Sequence, residues 1–347
     1  MISDIQYCEQ MLPRVSRTFA PTIRKLPEGL RLQVTVAYLL CRIADTVEDS
    51  EDLSLSLKKN MLQSYSGIFT KQEQAYLIFS DYVPTLPQKT PDDELVYNLD
   101  KVLRVYHSFS PIMQNHISKW VVEMSLGMHK YAQDIHKKRF AFLKSMKELD
   151  EYTYYVAGTV GYLLTELFSY YSHKITPALR SRMEKLAGNF GKGLQMVNII
   201  RDMTVDLRRG QSYIPNELLK KYKLTRENIY EQKNAEQAQQ LFNELILNAV
   251  EHLDKALDYI LLIPKEESRI RLFCMLPLFW AMRTLQKIQQ NTLALLGAEK
   301  VKVKRGIIRK EYILALINMR SNRMMRRHYQ SMRRDFDTLK LNPALQS

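Results

Sequence analysis

Between Leu30 and Ile43 the chain leaves almost no polar face for water. Leu32, Val34, Val36, Ala37, Leu39, Leu40 and Ile43 spread around most of a helical turn, and a helix apolar nearly all round is normally buried in a bundle. A chain of 347 residues is long enough to supply that surrounding. From Gln237 to Leu261 apolar and polar residues alternate at three- and four-residue steps, the pattern of an amphipathic outer helix. Eleven Gly and 12 Pro are few for this length and argue against a chain built from tight β-turns. The Pro- and acid-rich stretch Val83 to Glu94, and Gly210 to Asn216, read as connections. Neither a repeat nor a Gly-, Pro- or Ser-rich linker divides the sequence. The expectation is a single all-α domain over residues 1–335, with residues 336–347 as a frayed tail.

Three cysteines, Cys8, Cys41 and Cys274, stand far apart. They exclude a disulfide framework and a paired-cysteine zinc cluster, and point to the reducing cytoplasm. Cys41 and Cys274 sit in apolar context and read as inert core residues. The N-terminal residues show no cationic start followed by an apolar core, so no secretory signal is expected. The longest apolar run, Leu272 to Met282, is eleven residues with Pro277 inside it, too short for the roughly 20 that cross a bilayer. Charge is concentrated at one end. Of the net +14, a surplus of 10 lies from Lys300 onward, where 13 Lys and Arg meet three acids, Glu311, Asp335 and Asp337. Such an end suits nucleic acid, anionic lipid or a phosphorylated small molecule. Aromatics there are sparse and no zinc-finger spacing occurs, which disfavours nucleic acid. Arg320, Arg323, Arg326 and Arg327, with Met324 and Met325 between them, form a candidate surface for peripheral contact with a membrane.

Two acidic motifs carry the chemistry. Asp45 and Asp49 are four residues apart, so a helix places both carboxylates on one face, and Tyr38 and Arg42 continue that stripe. Far downstream Asn198, Asp202 and Asp206 repeat the spacing, with Arg201 alongside. One such pair on a solvated helix means little. Two of them, each following an apolar stretch where unpaired carboxylates are expensive, point to a divalent cation. Mg²⁺ takes carboxylate oxygens, keeps several waters and completes its shell with phosphate oxygens. Facing motifs of this kind would hold two or three ions over one diphosphate, with Arg42 and Arg201 adding bidentate contacts.

The sequence resembles the squalene/phytoene synthase family, the head-to-head prenyl synthases. The likeness starts at Ser16-Arg17-Thr18-Phe19 and passes through the segment Tyr38–Asp49, then Tyr152–Gly161 and Gln195–Asp202. It ends at Phe273–Pro277 and Val301–Gly306. The resemblance implies a helical bundle of the isoprenoid synthase type with a central apolar cavity. It implies head-to-head condensation of two farnesyl diphosphates to presqualene diphosphate, then NADPH-dependent reductive rearrangement to squalene. Asp45, Asp49, Asp202 and Asp206, with Glu48 and Asn198, are then the Mg²⁺ ligands. Ser16, Arg17, Arg42, Arg201 and Gln195 contact the substrate diphosphate. Tyr155 matches the family's catalytic tyrosine, with Tyr38 nearby, and Phe273 matches an aromatic of the second half-reaction. General physics agrees with these roles. Each 15-carbon tail is worth on the order of 10 kcal/mol when buried, and tyrosine faces stabilise carbocations in a site that excludes water.

Within the family, the basic Val301–Gly306 segment favours the squalene-forming branch over siblings that make dehydrosqualene or phytoene without a reductant. Lys302, Lys304 and Arg305 are the candidate contacts to NADPH. No Gly-rich fingerprint follows a strand, so the nucleotide would be held by charge and loop contacts rather than by a Rossmann site. Val205 stands where the family typically carries an acid, and Gln211–Pro215 looks more like the phytoene-forming sibling. The C-terminal membrane anchor of eukaryotic relatives is missing from the resemblance. The expectation is therefore a monomeric enzyme without a transmembrane helix, in the cytoplasm and peripheral to the inner face of the cell membrane. A basic helical protein without catalytic activity, binding membrane or nucleic acid, is the alternative from another class.

Overall fold

The computed structural model describes residues 2–132, 143–208, 211–290 and 301–340, and no strand occurs among them. The helices run in order α1 (Ile2–Val15), α2 (Phe19–Ile23), α3 (Glu28–Asp49), α4 (Leu55–Phe69), α5 (Ala75–Tyr82), α6 (Pro91–Tyr97), α7 (Leu99–His107) and α8 (Pro111–Tyr131). Then come α9 (Met146–Thr153), a π-helical turn at Tyr154–Gly158, α10 (Thr159–Tyr171), α11 (Pro177–Arg208) and α12 (Asn216–Lys221). The last are α13 (Ala235–Leu262), α14 (Ser268–Gln290), α15 (Arg305–Asn318), α16 (Asn322–Arg333) and α17 (Asp337–Lys340). Two compact units result. The first comprises residues 1–141 and 154–184, the second residues 142–153 and 185–347.

In the first unit α3 is the central element, as its all-round apolar sequence requires. Leu30, Val36, Leu39, Leu40, Ile43, Ala44 and Val47 are fully buried, and each large aliphatic among them contributes about 1.5–3 kcal/mol. Helices α1, α4, α7 and α8 pack around it. Two polar ties fix it to α4. The Tyr65 hydroxyl donates to the Leu40 carbonyl at 2.8 Å, and the Lys58 ammonium donates to the Glu48 carbonyl at 2.6 Å. Lys58 is wholly buried. Its charge sits where the partial negative end of the α3 dipole favours a cation.

The acid-rich stretch before Glu94, expected to be a connection, is a helix start. Thr90 caps α6 by accepting from the Asp93 amide at 3.1 Å, and Asp93 answers by accepting from the Thr90 amide at 2.9 Å. Pro91 occupies the first helical position, where its missing N–H leaves nothing unsatisfied. Three acids in the first turn then favour the helix N-terminus.

In the second unit α13 buries Leu241, Phe242, Leu245, Ile246, Ala249, Val250 and Leu253 completely, matching the amphipathic reading. It packs against α14, whose Pro277 has no N–H to give to the Phe273 carbonyl one turn back. Of the expected tail, Phe336 is fully buried and Asp337–Lys340 is helical, while residues 341–347 lie outside the described residues. Arg209 and Gly210 lie outside them too. All three cysteines are buried, and burial pushes the Cys41 and Cys274 thiols well above their usual range.

Candidate active site

The first acidic motif occupies the last turn and a half of α3. Asp45 is half-buried, Asp49 is exposed and Glu48 is buried. Arg42 lies 3.6 Å from Asp45 and donates through Nε to Asp92 Oδ1 at 2.8 Å. Asp92, on the first turn of α6, is a further carboxylate that the sequence did not reveal. Burial pushes the Asp45 carboxyl up to about 7, and the neighbouring Asp49 and Asp92 charges push the same way, against the pull of Arg42. This end of α3 therefore gathers the acids Asp45, Glu48, Asp49 and Asp92 around Arg42, with the Lys58 ammonium on the Glu48 carbonyl.

Ser16 and Tyr38 belong to the same neighbourhood. Ser16 is buried, and its hydroxyl accepts from the Phe19 amide at 3.0 Å, closing the turn into α2. Burial raises the Tyr38 phenol to about 12, against the lowering influence of the Ser16 hydroxyl and the Arg42 charge. The Tyr38 ring lies 5.9 Å from Phe19. Arg17 points into solvent.

Tyr155 sits in the π-helical turn, half-buried, with ring centroids of Tyr154 at 5.1 Å and Tyr131 at 6.3 Å. Lys130 places its ammonium 5.8 Å from the Tyr155 ring centre. The ring lies directly on Gly127 of α8. A Cβ at that position would stand 2.1 Å from Tyr155 Cγ. Gly127 makes room for the Tyr155 ring, and its one legible signal is a glycine inside an otherwise helical pattern.

The second motif lies on α11 within the second unit. Asp202 is half-buried and accepts from Arg201 Nη2 at 2.5 Å and Nε at 3.2 Å. Asp206 is half-buried, and its carbonyl accepts from the Gln211 amide at 2.8 Å. Asn198 is exposed, with Nδ2 3.5 Å from Gln195 Oε1. Gln195 and Val205 are half-buried on the same helix. Phe273 on α14 is buried. Lys302, Lys304 and Arg305 are exposed, with Lys304 at the position just before α15 and no side-chain cap there.

The donor set fits magnesium by its chemistry. Each motif offers aspartates one helical turn apart, and carboxylate oxygens are the hard donors that Mg²⁺ takes. No group of three or more His, Cys, Asp or Glu arranged to enclose a metal occurs among the described residues. The fit of Lys302, Lys304 and Arg305 to a dinucleotide rests on charge alone.

The family described as squalene/phytoene synthase matches residues 12–306 of the chain. Squalene synthase ERG9 of Candida albicans is 32% identical over 298 residues, covering 85% of this chain and 64% of that protein. Squalene synthase of Schizosaccharomyces pombe is 31% identical over 288 residues, covering 83% and 60%. The chain thus spans less than two thirds of the length of these curated relatives. Among solved structures, the complex of TcSQS with the ligand BPH1237 aligns at a TM-score of 0.78 and 22% identity, over 97% of this chain and 99% of that one.

Proposed function

Since the chain belongs to the squalene/phytoene synthase family, we propose that it is a prenyltransferase of the squalene-forming branch. It joins two farnesyl diphosphates head to head into presqualene diphosphate and reduces and rearranges that to squalene. The observation that supports the reading is the acid-rich end of α3, where Asp45 and Asp49 stand one helical turn apart and Arg42 lies between Asp45 and Asp92.

In this reading Asp45 and Asp49, and Asp202 and Asp206, hold two or three Mg²⁺ ions, with Glu48 and Asn198 assisting. Bound magnesium supplies charge neutralisation for a departing diphosphate. Arg42 and Arg201 lend guanidinium donors to the phosphate oxygens, together with Ser16, Arg17 and Gln195. Arg42 is held for this by Asp92. Tyr155 presents a ring face, and Tyr38 a hydroxyl kept protonated at neutral pH, to the allylic and cyclopropylcarbinyl cations. Phe273 offers a second ring for the later cation. Lys302, Lys304 and Arg305 bind the phosphates of NADPH, which supplies the hydride. The chain acts as a monomer, in the cytoplasm and against the inner face of the cell membrane. Among the described residues no helix is long and apolar enough to cross a membrane, and nucleic acid is not a partner in this reading.

The test is product analysis by mass spectrometry with farnesyl diphosphate and Mg²⁺, with and without NADPH. Squalene with the reductant, and presqualene diphosphate without it, is the expected pair. The same dehydrosqualene in both tubes, or phytoene from geranylgeranyl diphosphate, would assign the chain to a sibling activity. No product from either substrate would return it to the non-catalytic alternative.

A further inference from the structure

Helix α15 is amphipathic the wrong way round for a surface helix. Its inward positions are Glu311 and Ala315, both fully buried, and Asn318, at 5% exposure. Glu311 is satisfied there by Arg283 Nε at 2.8 Å and by His328 Nε2 at 2.6 Å, which tie the helix to α14 and α16. The outward positions carry the aliphatics. Ile313 is 56% exposed, Leu316 37% and Ile317 58%, and Met324 on the first turn of α16 is 45% exposed. A folded surface rarely leaves neighbouring branched aliphatics in water without a use for them.

The charge around this apolar face narrows what covers it. Arg309 and Lys310 stand one turn before Ile313, and Arg320 and Arg323 follow Ile317; all four are exposed. None of the four has an ion pair among the described residues. Between Val301 and Arg334 the sequence contains 11 Lys and Arg and one acid, the buried Glu311. A second copy of the chain would bring the same uniformly positive surface and be repelled. An anionic lipid surface meets both features at once, since its headgroups match the cations and its acyl boundary takes the aliphatics.

We propose that the outward face of α15, extended by the first turn of α16, is a docking surface for anionic lipid, with Ile313, Leu316 and Ile317 entering the headgroup boundary. Of the basic patch that the sequence suggested, Arg320, Arg323, Arg327 and Met324 are exposed. Met325 is fully buried and Arg326 pairs with Asp258 at 3.1 Å, because consecutive residues point to different sides of a helix. The inference borrows its purpose, release of an oily product, from the proposed function, but its physics stands on the surface alone.

The experiment uses the full chain and flotation with vesicles of phosphatidylcholine, pure or mixed with phosphatidylglycerol, at several salt concentrations. Binding to the anionic vesicles at least tenfold stronger than to the neutral ones, and weakening with salt, is expected. The pairs Ile313→Ser with Ile317→Ser, and Arg320→Gln with Arg323→Gln, should each lower binding at least tenfold. Turnover of detergent-dispersed substrate should stay at the parent level, which separates failure of docking from failure of the proposed reaction. A third variant, Ile317→Trp, should shift its emission to the blue on adding anionic vesicles. Equal binding to both vesicle types, parental binding by both pairs, or an unshifted tryptophan would overturn the proposal. So would light scattering that shows a dimer abolished by the serine pair.

Discussion

Replacing Gly127 with alanine should damage turnover more than it damages the fold, and the structure sets the size of both effects. A glycine inside a helix usually gains about 0.5–1 kcal/mol on becoming alanine, since the backbone loses less freedom on folding. Here the new methyl would stand 2.1 Å from Tyr155 Cγ, 2.2 Å from its Cβ and 2.3 Å from its Cδ1. Carbon atoms pack at about 3.5–4.0 Å, so ring and helix must separate by roughly 1.5 Å. Tyr155 is anchored near its root and cannot answer by moving a distant tip. Overpacking of this kind costs about 1–3 kcal/mol, which outweighs the gain in propensity. A displacement of about 1 Å at a reacting group can lower the rate on the order of 10²-fold. The assay is kcat for squalene formation beside a thermal melt, for Gly127→Ala, Tyr155→Ala and the double variant. If the methyl acts through the tyrosine, the double variant should be no slower than Tyr155→Ala, a non-additivity expected of residues in contact. Parental kcat in Gly127→Ala, or losses that simply multiply, would refute the reasoning.

Two further outcomes follow from the end of α3. With a folded value of about 7 against roughly 3.9 when unfolded, Asp45 binds more protons in the native state between those limits. Its contribution to stability is therefore present at low pH and lost as pH rises towards 7. Asp45→Asn should melt higher than the parent in metal-free buffer at pH 8, on the order of a few degrees, and show less advantage at pH 5. The same change should lower turnover by orders of magnitude; a variant that melts lower at pH 8 would contradict the account. Lys58→Met should lower stability by about 1–3 kcal/mol in urea titrations, since the Glu48 carbonyl would lose a donor inside the core. An unchanged midpoint would show that the buried ammonium does not support α3.

How much of this could be read beforehand depended on whether the signal lay along the chain or across it. The burial of α3, the amphipathic α13 and the helical setting of both acid pairs follow from periodicity, which is local. Asp92 is not legible along the chain, because Pro91-Asp92-Asp93-Glu94 reads as a break. Thr90 and Asp93 three residues apart, with Pro91 between, are the start of a capped helix. Lys58 gave no sign at all, since nothing in a polar Lys-Lys-Asn stretch says which lysine turns inward. The inverted polarity of α15 is visible as a pattern, but a helical wheel shows two faces without saying which one meets the protein. The contact between Gly127 and Tyr155 joins residues 28 positions apart, and only tertiary structure brings them together.

The π-helical turn at Tyr154–Gly158 has a bearing on kinship. Such a turn accommodates one residue more than an α-helix of the same rise, so side chains on its two sides are out of phase by about 100°. The Thr159 hydroxyl, bonded to the Tyr155 carbonyl at 2.8 Å, closes the loosened turn. A descendant that lost a single residue here would still form an uninterrupted helix and would align almost perfectly by letter. Its tyrosine would nevertheless be swung away from Gly127, so a one-letter gap at this point deserves to be weighed as a change of chemistry.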